Sequence, residues 1–180
     1  VLHQRCQEQN IKLEECDLRF RAEEDQKSIE ICQQEIARSH IFLGLLGEHY
    51  GYVLPEESAS VTHDEIEYAL FDEKNLHSLK QHSLFYFRHP KGSLQVPLEV
   101  WQEYWEDDGT ENFKKLKSLK QKIRDSGVPV YDYYGYWNEE QCPPWAPEKK
   151  GCFDRLENFA QKVLACLWQE IQKFREEAPK

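Results

Sequence analysis

The residues best suited to chemistry form a short run, His63-Asp64-Glu65, and a further histidine, His49, follows an apolar segment upstream. Carboxylates and imidazoles can transfer protons or bind a metal ion. A metal ion needs three or four converging ligands, and no paired spacing brings His49 and His63 together. We therefore expect these histidines to lie in exposed loops, without a metal.

Motifs for nucleophilic, redox and phosphate chemistry are absent from the sequence. Cys142 lies in a proline-rich segment with no histidine close by in sequence, and no Gly-x-Ser-x-Gly elbow occurs. The cysteines include no pair with the two-residue separation of a zinc or redox site. No Gly-x-x-x-x-Gly-Lys run is present to bind phosphates. These chemistries are not expected of this chain.

An aromatic and proline-rich segment, predicted to be a loop over residues 133–151, allows several interpretations. Its side chains can fold over the sheet edge as a lid on the domain's own core, which we favour. They can also form a partner surface, since Tyr and Trp are enriched in binding hot spots, or stack on nucleic-acid bases. The residues of this candidate interaction surface are Tyr133, Tyr134, Tyr136, Trp137 and Trp145.

The composition is that of an acidic globular domain. With 180 residues and 13% aromatics the chain fits a single domain, residues 1–180, whose core needs no metal or disulfide. A formal charge of −10 repels phosphate backbones, which disfavours nucleic-acid binding. The basic residues between Lys114 and Arg124 are expected to spread around the solvated face of a helix.

Cysteine placement and hydropathy indicate a reducing, intracellular environment. Cys32 and Cys166 fall at apolar positions, which is typical of buried, reduced thiols, so we expect a cytoplasmic protein. No apolar run approaches the ~20 residues that cross a bilayer, and no signal peptide is visible. Methionine is absent even at position 1, so we expect a fragment of a larger multidomain protein.

Strand and helix patterns alternate along the chain and set the fold. The clearest strand is 41–47, which is continuously apolar, as expected for a strand covered on both faces. Further strands are predicted at 11–20, 83–88 and 128–131, the last near a sheet edge because of Pro129. Helices are predicted at 1–9, 28–39, 60–76, 97–105, 110–126 and 152–177. This order implies βαβ units and a mostly parallel sheet between helices.

Several segments, in this order and spacing, resemble one family. They are residues 16–20 (CDLRF), 29–36 (IEICQQEI), 42–52 (FLGLLGEHYGY), 61–69 (VTHDEIEYA) and 85–88 (FYFR). From about residue 6 to residue 174 the chain is similar to the TIR-like module that precedes the NACHT-type nucleotide-binding domain in proteins of the telomerase protein component 1, nephrocystin-3 and tetratricopeptide repeat protein 41 type. Residues 42–52 are the most specific part of this resemblance.

Two features depart from that family's pattern. Phe20, Arg21 and Ala22 stand where members usually have Trp-Gly-Val, and the members' initial strand, which contains Ser-Thr-Phe, is not found here. In a TIR-like or flavodoxin-like sheet that strand is the central one. We therefore expect either that part of the protein lies outside this sequence or that the sheet closes in an unusual way.

The resemblance implies a three-layer α/β domain with a parallel sheet, TIR-like or flavodoxin-like, and a long C-terminal helix. It also implies a non-catalytic protein-interaction or signalling module on the amino-terminal side of a NACHT/STAND-type NTPase, with the ATPase outside these residues. Expected partners are other proteins, the adjacent NACHT domain or a second copy, with no cofactor. An RNA-associated scaffold is a further alternative, suggested by the telomerase and vault association of one relative.

The same resemblance offers an enzymatic alternative. Some TIR domains cleave NAD with a glutamate on a helix comparable to residues 61–69, which would assign the catalytic role to Glu65. A carboxylate there would stabilise the positive charge that develops on the ribose as nicotinamide leaves. The plainer interpretation is that Glu65 lies in the first turn of a helix, where the helix dipole favours acidic side chains.

Overall fold

The computed structural model describes residues 1–16, 27–72, 79–93, 95–140, 151–154 and 159–177. They form two compact units. The first unit comprises Val1–Phe42, Tyr52–His82 and Val163–Lys180, and the second comprises Leu43–Gly51 and Ser83–Lys162.

The described elements are six helices and five strands. In chain order they are α1 (Leu2–Glu8), α2 (Lys27–Arg38), β1 (Phe42–Leu46), α3 (Val61–Leu70), β2 (Ser83–Arg88), α4 (Pro90–Ser93), α5 (Glu111–Asp125), β3 (Val130–Tyr133), β4 (Tyr136–Asn138), β5 (Cys152–Asp154) and α6 (Phe159–Glu177). Two 3₁₀ turns, Leu79–His82 and Trp101–Glu103, join some of them. No helix in these described ranges is long and apolar enough to cross a membrane.

The first unit is helical. α2 and α3 contact each other, and Cys32, Ile36 and Ile66 are at most 1% exposed. α3 begins at Ser60, whose hydroxyl accepts a hydrogen bond from the backbone N–H of His63 at 3.3 Å and so satisfies a free donor of the first turn. The predicted helices at 28–39 and 60–76 are thus confirmed, the second with an earlier end at Leu70.

The second unit contains a three-stranded parallel sheet in the order β1-β2-β3. β2 pairs with β3 so that Phe85 lies beside Val130 and Arg88 beside Tyr133. α5 starts at a cap, the Thr110 hydroxyl, which accepts from the N–H of Phe113 at 3.0 Å. The predicted α/β class with a parallel sheet and a C-terminal helix is confirmed.

Every residue of β2 is buried, so β2 is the centre of the second unit's core. On one face, Phe87 packs under α5, where the Arg124 guanidinium carbon lies 4.8 Å from the ring centroid. On the other face, the Tyr86 ring stacks on Tyr131 at 5.2 Å and meets Phe159 edge-on at 5.3 Å. The side chains of β2 therefore pack alternately against α5 on one face of the sheet and against aromatic rings on the other.

The prediction that residues 41–47 are covered on both faces is wrong, although the strand itself is confirmed as β1. Gly44 and Leu46 are buried, whereas Leu43 is 36% and Leu45 53% exposed. β1 is an edge strand of the described sheet, and its second face has no complete cover. Apolar composition alone could not reveal this, because it does not specify what lies beyond the edge.

Two further predicted elements differ in the structure. Residues 11–16 form no strand, and the Lys12–Glu14 ion pair within them is exposed to solvent; residues 17–20 lie outside the described ranges. The predicted helix at 97–105 is only the 3₁₀ turn Trp101–Glu103, where the Trp101 and Trp105 rings pack at 5.0 Å.

The predicted loop at 133–151 contains a strand, and the last helix begins later than expected. β4 pairs antiparallel with β5, so that Trp137 lies opposite Phe153 and their rings meet at 5.4 Å. This cross-strand contact favours an extended backbone at Cys152–Asp154, where the sequence predicts the helix to begin, and the described helix α6 spans Phe159–Glu177.

Gly44 permits the closest approach in this sheet, and its replacement tests the packing. A Cβ at position 44 would overlap the Phe85 ring. Gly44→Ala should therefore lower the free energy of unfolding by about 1–3 kcal/mol, measured by urea denaturation. A Gly44→Ala/Phe85→Leu double variant should lose less than the sum of the single losses, because the smaller side chain makes room. Additive losses would contradict this account of the contact.

Candidate functional site

The strongest concentration of buried charge lies at the carboxyl ends of the three parallel strands. Parallel strands bring these ends to one edge of the sheet, which is where open α/β sheets bind ligands. Arg88 is the last residue of β2, Tyr133 the last of β3, and Glu48 lies two residues after β1. We name Arg88, Glu48, Tyr133 and Lys120 of α5 the carboxyl-edge cluster.

Arg88 is 9% exposed, which is low for a guanidinium. Its Nη2 donates to the Tyr104 carbonyl at 2.9 Å, and its Cζ lies 4.1 Å from the Phe153 ring centroid. The absent side chain of Gly47 makes room, because a Cβ there would come within 3.1 Å of Nη2. Burial lowers the pKa of Arg88, and the Tyr133, Glu48 and Tyr104 groups oppose that shift.

Lys120 and Glu48 form the second half of the cluster. The Lys120 Nζ donates to Glu48 Oε1 at 2.7 Å, and their side chains are 16% and 13% exposed. Burial lowers the pKa of Lys120 although the hydrogen bond to Glu48 raises it. Burial likewise raises the pKa of the Tyr133 hydroxyl, against the effect of the Arg88 charge.

The prediction that the basic residues of α5 lie on a solvated face is therefore wrong for Lys120. The residue lies four positions after Leu116 and three before Ile123, both buried, and so shares the apolar face of the helix. Arg124 bonds to Asp132 at 3.1 Å and lies over Phe87. Two signals in the sequence could have identified the buried cations. Lys120 falls on the apolar face of its helix, and Arg88 directly follows the largely apolar strand residues 83–87.

Glu106 positions the loop that follows β1. Its Oε1 accepts from the backbone N–H of Tyr50 at 2.8 Å and lies 3.6 Å from His49 Nε2. Its own backbone N–H donates to the Glu48 carbonyl at 2.8 Å. Within the ranges that the structure describes, no group of three or more His, Cys, Asp or Glu side chains could hold a metal ion.

The aromatic residues of the candidate interaction surface largely contact their own unit. Tyr133 stacks on Phe159 at 4.4 Å, and Trp137 meets Tyr104 edge-on at 5.1 Å. Tyr134 stacks on His89 at 4.5 Å and stays 43% exposed.

The other two residues of the candidate interaction surface are Tyr136 and Trp145. Tyr136 is half-buried in β4. Trp145 lies outside the described residues, as does Cys142.

Glu65, the candidate catalytic residue, lies on α3 in the first unit. Its half-buried carboxylate accepts a hydrogen bond from Cys32 on α2. Burial raises the pKa of Glu65, the Cys32 hydrogen bond opposes the shift, and the Asp64 charge adds to it. His63 lies 3.4 Å from Glu67, one turn further along the helix.

A cleft of about 480 Å³ lies beside this helix, and it combines acidic and apolar side chains. Its walls are formed by Ile29, Gln33, Glu57, Asp64, Glu67, Tyr68, Phe71 and Asp72. Glu65 is not one of these lining residues, whereas its neighbour Asp64 is. Burial raises the pKa of Asp64, with Glu57 and Glu67 adding to the shift.

The parallel sheet, the helices that alternate with its strands and the charged carboxyl edge define an α/β domain with a TIR-like or flavodoxin-like layout. The chain belongs to the family described as domain of unknown function DUF4062, which matches residues 5–142.

The curated relatives are much longer proteins. The chain is 27% identical to mouse (Mus musculus) telomerase protein component 1 over 184 aligned residues, which cover 91% of this chain and 7% of that protein. It is 28% identical to the rat (Rattus norvegicus) telomerase protein component 1, with the same coverage. The chain thus spans about 7% of the length of these relatives. No solved structure matches it.

The raised pKa of Glu65 predicts a pH-dependent stability. The folded chain holds the Glu65 proton more tightly than the unfolded chain does, so ionisation above the ordinary pKa of 4.5 destabilises the fold. Glu65→Gln removes this cost and should raise the thermal midpoint at neutral pH. The gain should shrink as pH falls through the raised pKa of Glu65 towards 4.5, and it should be absent below 4.5, where the Glu65 carboxyl is protonated in both the folded and the unfolded chain. Glu176→Gln, at an exposed position of α6, is the control; an equal gain there, or one independent of pH, would contradict the prediction.

Proposed function

We propose that this domain is a non-catalytic protein-interaction or signalling module on the amino-terminal side of a NACHT/STAND-type NTPase. The similarity to part of telomerase protein component 1 supports this placement within a longer protein. The observation that carries the interaction role is β1, an edge strand that exposes Leu43 and Leu45. Buried thiols at Cys6 and Cys32 support a reducing, cytoplasmic location.

The sequence of β1 contains none of the charged residues or prolines that protect many sheet edges. Natural edge strands are guarded by charges, proline or a bulge, because their free N–H and C=O groups otherwise pair with another chain. The sequence of β1, FLGLL, has neither charge nor proline, and half of its apolar side chains face outward. An edge of this kind binds a partner by accepting an additional strand.

A second copy of the chain is the partner that this edge fits directly. Two identical β1 strands can pair antiparallel about a two-fold axis, which makes the contact self-complementary. Pairing would bring Leu43 and Leu45 of each copy into the new contact and satisfy the edge hydrogen bonds. The formal charge of −10 disfavours a nucleic acid as the partner.

Sedimentation equilibrium of the chain tests this proposal. The wild type should show a monomer–dimer equilibrium, and Leu45→Lys should shift it to monomer, because a charged residue on an edge strand disfavours pairing with another chain. Leu98→Lys is the matched control, since Leu98 is 86% exposed and lies outside any strand. A wild type that stays monomeric at about 0.1 mM, or an equal effect of both variants, would overturn the proposed contact.

NAD cleavage by Glu65 is the alternative proposal, and one observation favours it. A half-buried carboxyl with a raised pKa is typical of functional sites, and Asp64, the neighbour of Glu65 on the same helix, lines a cleft. In the reaction the N-glycosidic bond to nicotinamide breaks and water adds to the ribose. Purified chain incubated with NAD should then release nicotinamide, and Glu65→Gln should abolish the release. Equal rates for the two proteins, or no release from the wild type, would remove this alternative.

A further inference from the structure

The carboxyl-edge cluster holds more positive charge than its own acids balance. Arg88 and Lys120 are both largely buried, whereas Glu48 is the one carboxylate in contact with either of them among the described residues. Lys120 forms an ion pair with the Glu48 carboxylate at 2.7 Å, whereas Arg88 makes no ion pair within the described part of the chain. Burying an unpaired charge is costly, so such a charge is retained where a ligand or a mechanism uses it.

Arg88 also has hydrogen-bond donors to spare. A guanidinium offers five N–H donors and no acceptor. In the described ranges Arg88 donates to one acceptor, the Tyr104 carbonyl, and its buried Nε has no partner. Buried donors without an acceptor are rare in folded proteins, and an unplaced ligand is one of their common explanations.

The surroundings of Arg88 hold its guanidinium in place. The Phe153 ring lies 4.1 Å from its Cζ, Gly47 leaves space for Nη2, and the Tyr104 carbonyl fixes one end of the fork. Its side chain is therefore ordered before a ligand arrives, which lowers the entropic cost of binding. Tyr133, beside Arg88 in the sheet register, ends the neighbouring strand and adds a hydroxyl that can donate.

We propose that the carboxyl-edge cluster is a phosphate-binding site, in which Arg88 and Lys120 bind the phosphate group of a small molecule or free phosphate. The N–H donors of the Arg88 guanidinium that the Tyr104 carbonyl does not use can donate to phosphate oxygens, and Lys120 contributes a second positive charge. Glu48 opposes the bound anion and limits its affinity, because it competes for Lys120. The proposed site uses two cationic side chains and requires no glycine-rich phosphate loop.

Binding of inorganic phosphate to the chain, measured by isothermal titration calorimetry at constant ionic strength with chloride as the balancing salt, tests the proposal. The wild type should bind with a dissociation constant of about 1 mM or lower. Lys120→Gln should weaken binding about tenfold, as expected for a lost charged hydrogen bond. Lys117→Gln is the matched control, because it removes the same charge from an exposed position of the same helix.

Glu48→Gln provides a readout that misfolding cannot mimic, because it should tighten phosphate binding while Lys120→Gln weakens it. Glycerol 1-phosphate, titrated in parallel, distinguishes the two sources: tighter binding than inorganic phosphate assigns the site to a phosphomonoester, and weaker binding assigns it to the free ion. No phosphate-specific heat from the wild type, an equal loss in Lys117→Gln, or weaker binding by Glu48→Gln would each overturn the site.

Discussion

Burial of β2 on both faces is the constraint on which the rest of the second unit depends. A strand whose six residues are all buried must have its backbone groups paired on both edges, which β1 and β3 provide. Its side chains must also be covered above and below, which requires α5 on one face and the aromatic side chains of Tyr131 and Phe159 on the other. Gly44 is then needed where β1 passes the Phe85 ring.

The same constraint places Arg88 in a buried environment. β2 ends at Arg88, and its guanidinium cannot lose its charge as a buried lysine or glutamate can. It is instead accommodated by the Tyr104 carbonyl and the Phe153 ring. These two contacts tie the 3₁₀ segment before α5 and the β4–β5 hairpin to the end of the sheet. In the described part of the aromatic segment, Trp137 packs against Phe153 within the same unit, while Tyr134 stays 43% exposed.

Much of the fold could be predicted from the sequence, because the spacing of apolar residues and the residues that begin and end helices are local features of the chain. The Ser60 and Thr110 caps, the apolar runs of β1 and β2 and the stop at Gly127, where φ is +83°, are of this kind. Contacts between distant residues could not be predicted. Glu48 and Lys120 are 72 positions apart, and the hairpin depends on Trp137 meeting Phe153. The exposure of Leu45 depends on what is absent from its neighbourhood, which no local pattern encodes.

β1 is the element at which the two proposed surfaces meet. Leu43 and Leu45 lie on its open face, and Gly47 and Glu48 follow at its carboxyl end. If a partner strand pairs with β1, the added backbone hydrogen bonds restrict the motion of β1. The restriction extends to Gly47, which lies against Arg88, and to Glu48, which bonds to Lys120. Partner binding and phosphate binding would then favour the same ordered arrangement of β1, so each would strengthen the other by thermodynamic linkage. Such a coupling requires no movement of domains, because Glu48 lies three positions after Leu45 in the continuation of the same strand.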